Sequence, residues 1–94
     1  MGPLELDKDR RTLKGDGRDV SLTFKEFELL HYLMENEGLV LSRDKLLETI
    51  WGFDYEGETR TVDVHIRSLR QKLEDAADQI ETVRGVGYRM RSQA

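Results

Sequence analysis

Cysteine is absent from the 94 residues, so neither a disulfide framework nor a thiolate zinc site is open to this chain, and a reducing compartment suits it. Long apolar runs are missing too. The stretches Gly38 to Leu41 and Phe27 to Met34 are too short or too interrupted to span a bilayer. Met1 to Arg11 carries charges where the apolar core of a signal peptide would lie, so the expectation is a cytoplasmic protein without membrane contact. Catalytic equipment is equally scarce. The two histidines, His31 and His65, lie on separate segments, and no paired carboxylates mark a site. The chain is therefore expected to be no enzyme and to use no cofactor and no metal. It shows no repeats, low-complexity tracts or internal linkers, and its length fits one domain over residues 1–94.

What the sequence does contain is charge of both signs, unevenly placed. The net charge is −4, which argues against a polyanion binder whose whole surface is basic. Between Thr59 and Leu73, however, Arg60, Arg67, Arg70 and Lys72 oppose only Asp63, a local excess of +3. Thr82 to Arg91 adds Arg84, Arg89 and Arg91 without an acid, another +3, so the rest of the chain carries −10. A solvated, salt-bridged face is the ordinary explanation of one basic run. Two such runs in an acidic chain call for more.

The order of elements follows from periodicity and turn signals. Leu4 to Asp7 alternates apolar and polar residues, Arg11 to Lys14 can form a second strand, and Gly15-Asp16-Gly17 marks a turn before Val20 to Leu22. Thr23 and Glu26 have the spacing of a capping box, and Phe27, Leu30 and Met34 recur at helical intervals until Gly38. After the apolar bridge Leu39 to Leu41, Ser42 can cap a second helix with Leu46, Leu47, Ile50 and Trp51 on one side. Gly52 to Glu58 holds two glycines and three acids and reads as an exposed loop. Glu58 and the Thr59 hydroxyl then suit a helix start, and a third helix is expected over residues 59–74. Ile80 to Arg91 reads as a hairpin around Gly85-Val86-Gly87. Those glycines form no dinucleotide site, since no helix follows and a third glycine is missing.

The third helix is the most informative segment. At about 100° per residue from Val62, the residues Ile66, Leu69 and Leu73 fall near 40°, 340° and 20°, one narrow apolar stripe. Arg60, Arg67, Gln71 and Val64 fall near about 160°, 140°, 180° and 200°, with Ser68 and Thr61 near 240° and 260°. That outer face carries guanidiniums suited to guanine or phosphate, an amide suited to adenine, and small groups suited to the thymine methyl. His65, near about 300°, either contacts phosphate or borders the core. An amphipathic helix with outward arginines is ordinary in proteins. Val64 among those arginines is the residue this ordinary reading leaves unexplained. In the hairpin, Arg84 and Tyr88 can donate to phosphate near a tight, glycine-permitted tip, or Tyr88 can simply pack on its neighbours.

Several blocks together resemble the OmpR/PhoB-type effector domain of bacterial two-component response regulators. They are Leu22-Thr23 with Glu26-Phe27 and Leu29-Leu30, Ser42-Arg43 with Leu46-Leu47, Trp51-Gly52, Arg60 through Ile66 with Leu69-Arg70, and Thr82 through Tyr88. The resemblance implies an α+β winged helix-turn-helix with an N-terminal antiparallel four-stranded sheet, a three-helix core and a C-terminal β-hairpin wing. It places the recognition helix 59–74 in the major groove and the wing 80–91 on the minor groove of double-stranded DNA. Carried over by motif, Arg60, Thr61, Val64, His65, Arg67 and Arg70 face DNA from the helix. Ser68, also expected to face DNA, stands where many relatives have a further basic residue. Arg43, Trp51, Thr82, Arg84, Gly85 and Tyr88 contact the backbone from elsewhere, with Arg84 alternatively entering the minor groove.

The same resemblance implies partners. The loop with Phe53, Asp54, Tyr55 and Glu56 is positioned to touch RNA polymerase, and a receiver domain and a sensor histidine kinase belong to the full system. On that reading the chain is an effector domain excised from a longer protein. It would be monomeric alone and a tandem dimer on a direct-repeat operator. The rival from another class is a winged-helix protein–protein interaction module without DNA binding, which would expose an apolar patch where Arg60 and Arg67 stand.

Overall fold

The computed structural model describes residues 4–92 apart from 8, 11, 16 and 17. Three short strands come first, β1 (Leu4–Asp7), β2 (Thr12–Gly15) and β3 (Arg18–Ser21), paired antiparallel in the order β1-β2-β3. Their register aligns Leu6, Leu13 and Val20 in one row. Leu13 is almost wholly buried, and its two neighbours pack against the same core. Asp7 closes the first turn by accepting from the amides of Asp9 and Arg10. The expected Asp16-Gly17 turn lies outside the described residues.

The expectation of four strands in this sheet is corrected to three among the described residues. Three four-residue strands and their turns occupy the chain up to Ser21, and Thr23 already caps the next helix. The fourth strand, β4 (Leu41–Ser42), belongs instead to a second sheet with β5 (Ile80–Val83) and β6 (Gly87–Met90), in the order β4-β6-β5.

Helix α1 (Phe24–Glu35) starts with the capping box its sequence announces. The Thr23 hydroxyl accepts from the Glu26 amide, and the Glu26 carboxylate accepts from the Thr23 amide. Phe27, Leu29, Leu30 and Leu33 are buried on one face. Helix α2 (Arg43–Trp51) is capped by Ser42, which accepts from the Lys45 amide, and buries Leu46 and Ile50. Helix α3 (Arg60–Leu73) buries the stripe Val62, Ile66, Leu69 and Leu73 against α1 and α2. Burying each such side chain is worth about 1.5 to 3 kcal/mol before ordering costs are subtracted.

Both ends of α3 depart from the sequence expectation. Thr59 has helical backbone angles and its hydroxyl makes no cap. Carbonyls of Glu58 and Thr59 instead accept from the amides of Thr61 and Val62, a tight turn that winds directly into the helix. At the far end the chain breaks at Glu74, whose φ of +51° halts the α-helix. A 3-10 helix over Glu74–Gln79 follows and leads into β5. Among the described residues no helix is long and apolar enough to cross a membrane.

Candidate nucleic-acid interface

Helix α3 is held on both flanks, and the holding defines what remains open. On one flank, Ser68 donates to Glu26 of α1, and Lys72 Nζ reaches the other Glu26 oxygen at 2.5 Å. Glu26 is only 3% exposed. Burial alone would raise its carboxyl, but hydrogen bonds from Lys72, Ser68 and the Thr23 amide outweigh burial and bring it from 4.5 to about 2. His65 lies nearby, with its ring edge on Trp51 at 4.8 Å between centroids. Its Nδ1 is 2.8 Å from the Thr61 carbonyl. A carbonyl only accepts, so Nδ1 carries the proton in that bond.

On the other flank, α3 grips the wing formed by β5 and β6. Arg70 donates through one Nη to the Ile80 carbonyl at 2.7 Å and to the Thr82 hydroxyl at 2.8 Å. Asp63 accepts from the Tyr88 hydroxyl at 2.6 Å and from Arg43 Nε at 2.9 Å. Two guanidiniums lie over the Tyr88 ring, Arg43 at 6.0 Å and Arg70 at 5.6 Å from its centroid. Burial, together with the bond to Asp63, pushes the Tyr88 phenol up, so it stays a donor.

Between these flanks runs the face left open. Arg60, Arg67 and Gln71 are exposed, and Val64 is 56% exposed. Among the described residues, no ion pair or hydrogen bond ties down the guanidiniums of Arg60, Arg67 or the wing-tip Arg84. Exposed, unpaired cations beside a small apolar group are the donor set that reads a major groove.

The wing tip is built by two glycines for different reasons. Gly85 has a φ of +77°, which a side chain would resist. Gly87 has an ordinary φ, but a Cβ there would sit 2.0 Å from the Leu41 carbonyl oxygen. That close approach is what lets β4 pair with β6. The Val86 carbonyl accepts from the Arg43 amide at 3.2 Å, so the tip is also tied to the start of α2.

Several residues expected at the interface have internal work. Ser68 faces α1, Arg70 and Thr82 bond each other, and Trp51 is half-buried against His65 and Tyr55. Thr61 is half-buried, 3.4 Å from the Tyr55 hydroxyl. Arg60, Val64, Arg67, Arg84 and Gly85 are exposed, as is the loop Phe53 to Glu56, where Phe53 is 86% exposed. Gln71, set on the outer face by the helical wheel, shares the open face. One residue was missed as a site member, Asp63, the lone acid in the basic helix, which joins that helix to the wing. The signal for Asp63 lay in the helical wheel, about 100° from Val62 and beside Arg70. Among the described residues no cluster of His, Cys, Asp or Glu could hold a metal.

Comparison with known proteins fits this geometry. The family profile "Transcriptional regulatory protein, C terminal" matches residues 17–90. The chain is 47% identical over 94 residues to the sensory transduction protein RegX3 of Mycobacterium leprae, covering 97% of this chain and 48% of that protein. It thus spans about half the length of that relative. The DNA-binding domain of Bacillus subtilis CssR superposes with a TM-score of 0.84 at 38% identity, covering 93% of this chain and 98% of that one. The Klebsiella pneumoniae RstA DNA-binding domain, solved in complex with the RstA box, gives 0.82 at 38% identity, covering 96% and 92%. With its three-helix core, its wing and its matched motifs, the chain belongs to the C-terminal domains of transcriptional regulatory proteins, the OmpR/PhoB-type effector domains of response regulators.

Proposed function

We propose that this domain binds double-stranded DNA sequence-specifically and regulates transcription as the output half of a two-component phosphorelay in the bacterial cytoplasm. The observation that carries the proposal is the open stripe Arg60, Val64, Arg67 and Gln71 on a helix held along both flanks. In this reading α3 enters the major groove and Arg60, Thr61, Val64, His65 and Arg67 face base edges and phosphates. Arg43, Trp51, Thr82, Arg84, Gly85 and Tyr88 contact or shape the path of the backbone, and Ser68 and Arg70 act by fixing the helix. A protein-binding winged helix is disfavoured because α3 offers only Val64 as an exposed large apolar residue.

The loop carrying Phe53, Asp54, Tyr55 and Glu56 is the surface we assign to RNA polymerase. Replacing Asp54 and Glu56 with Ala is expected to lower activation in a promoter-reporter assay while DNA affinity stays put, and unchanged activation would remove that assignment. A receiver domain and its histidine kinase would control the full protein, which binds direct repeats as a tandem dimer. The isolated domain is expected to be monomeric and to bind weakly.

Selection from a randomised duplex library at two salt concentrations tests the central proposal. Enrichment of one short motif, with affinity falling as salt rises, is the expected result. Absence of enrichment, even when two copies are tethered, would overturn it.

A further inference from the structure

Asp63 presents an electrostatic contradiction. It is a half-exposed carboxylate in the first turn of the helix that faces DNA, on the same element as Arg60 and Arg67. As a bare charge it would repel phosphate. Its bonds say what it does instead. One oxygen, Oδ1, accepts from both Arg43 Nε and the Tyr88 hydroxyl. Arg43 opens α2, Tyr88 lies in the wing, and the Arg43 amide is bonded to the wing-tip carbonyl of Val86. Three elements that must meet one duplex therefore meet at one carboxylate oxygen.

The manner of the Arg43 contact matters. A guanidinium carries five N–H donors in one rigid plane, and holding it through Nε, with the Tyr88 hydroxyl also bonded to it, fixes its orientation while Nη donors are left over. Tyr88 is fixed by the same oxygen, which sets the distance between wing and helix. We propose that Asp63 is a positioning residue for DNA binding, aiming the Arg43 fork at phosphate and locking the wing to the recognition helix. The proposal rests on the DNA-binding reading above.

The test separates an acceptor from a charge. Asp63→Ala removes both, whereas Asp63→Asn removes the charge but keeps an acceptor oxygen at the same place. Binding to the library-selected duplex would be measured for both at several salt concentrations. Asp63→Ala is expected to weaken binding by about tenfold, the scale of one hydrogen bond to a charged group. It should also lower the salt slope by about one, the signature of a lost phosphate contact. Asp63→Asn should recover most of the affinity, and Arg43→Ala should cost little more in the Asp63→Ala background.

If Asp63→Ala binds as tightly as the parent or tighter, or if the two variants move together, the proposal is overturned. Thermal melting accompanies each measurement. Should Asp63→Ala melt below the assay temperature, Tyr88→Phe replaces it, since that change deletes one hydroxyl and keeps the buried ring. Affinity unaltered by Tyr88→Phe would then count as the overturning result. A parent domain that binds no duplex at all would sink the DNA-binding reading and this inference with it, an outcome distinct from normal parent binding with indifferent variants.

Discussion

Two carboxylates tie helix α3 to its neighbours, each accepts several donors, and the surroundings give them different consequences. Glu26 lies beneath the helix, almost fully buried, bonded to Ser68, Lys72 and its own helix cap. Asp63 lies on α3 itself, half-exposed, bonded to Arg43 and Tyr88. Removing water makes a carboxylate contact strong and makes its loss costly, whereas a solvated contact adds little stability. The Glu26 site therefore governs whether α3 is present, and the Asp63 site governs where its neighbours stand.

The largest effect should follow from breaking the buried side. Glu26→Ala is expected to cost about 3 kcal/mol in urea unfolding, because Lys72 and Ser68 lose a shared acceptor. Acid should act in the same direction. The folded-state value of Glu26 lies below its unfolded value, so its contribution is complete above pH 4.5 and fades as pH falls towards about 2. That contribution is on the order of 3 kcal/mol. Stability curves for the parent and Glu26→Gln should converge across that window, and parallel curves would show that Glu26 is not the group responsible.

Breaking the wing side comes next. Gly87→Ala must push β6 off β4, since the new methyl would meet the Leu41 carbonyl, with an expected cost of about 2 to 3 kcal/mol. Its DNA affinity should fall further than its stability explains, and equal losses would mean the wing only supports the fold. On the open face, Arg67→Ala should leave the melting temperature alone and cost about 1 to 3 kcal/mol of binding, concentrated at one base position. A loss shared by all sequences would demote Arg67 to a phosphate contact. Smallest is Arg84→Ala, expected to reduce the salt slope by about one. An unaltered slope would place the wing tip away from the backbone.

The same contrast explains what could be read from the sequence. The buried stripe Val62, Ile66, Leu69 and Leu73 was legible because a helix face is fixed by spacing alone. So was the capping box, whose partners are three residues apart. The second role of Glu26 was not legible, because its donors Ser68 and Lys72 lie 42 and 46 residues away. Ser68 looked outward on the wheel, and only the arrival of α1 turned it inward. Arg70 likewise counted as a basic residue of an open face until the wing covered its flank. Thr59 had the chemistry of a cap but not the backbone conformation for one. The fourth strand expected of the first sheet came from resemblance, and among the described residues β4 pairs with the wing instead.

The short bridge between β4 and β6 has a consequence for how this domain can change. Two-stranded hairpins are marginal by themselves, but here Gly87 admits a third strand and the Val86 carbonyl is anchored to the α2 amide of Arg43. The tip is moored by backbone atoms, which a change of side chain at position 84 or 86, proline aside, leaves in place. Positions 84 and 86 are thus interchangeable bits on a fixed handle, free to vary in what they touch without altering where the tool points.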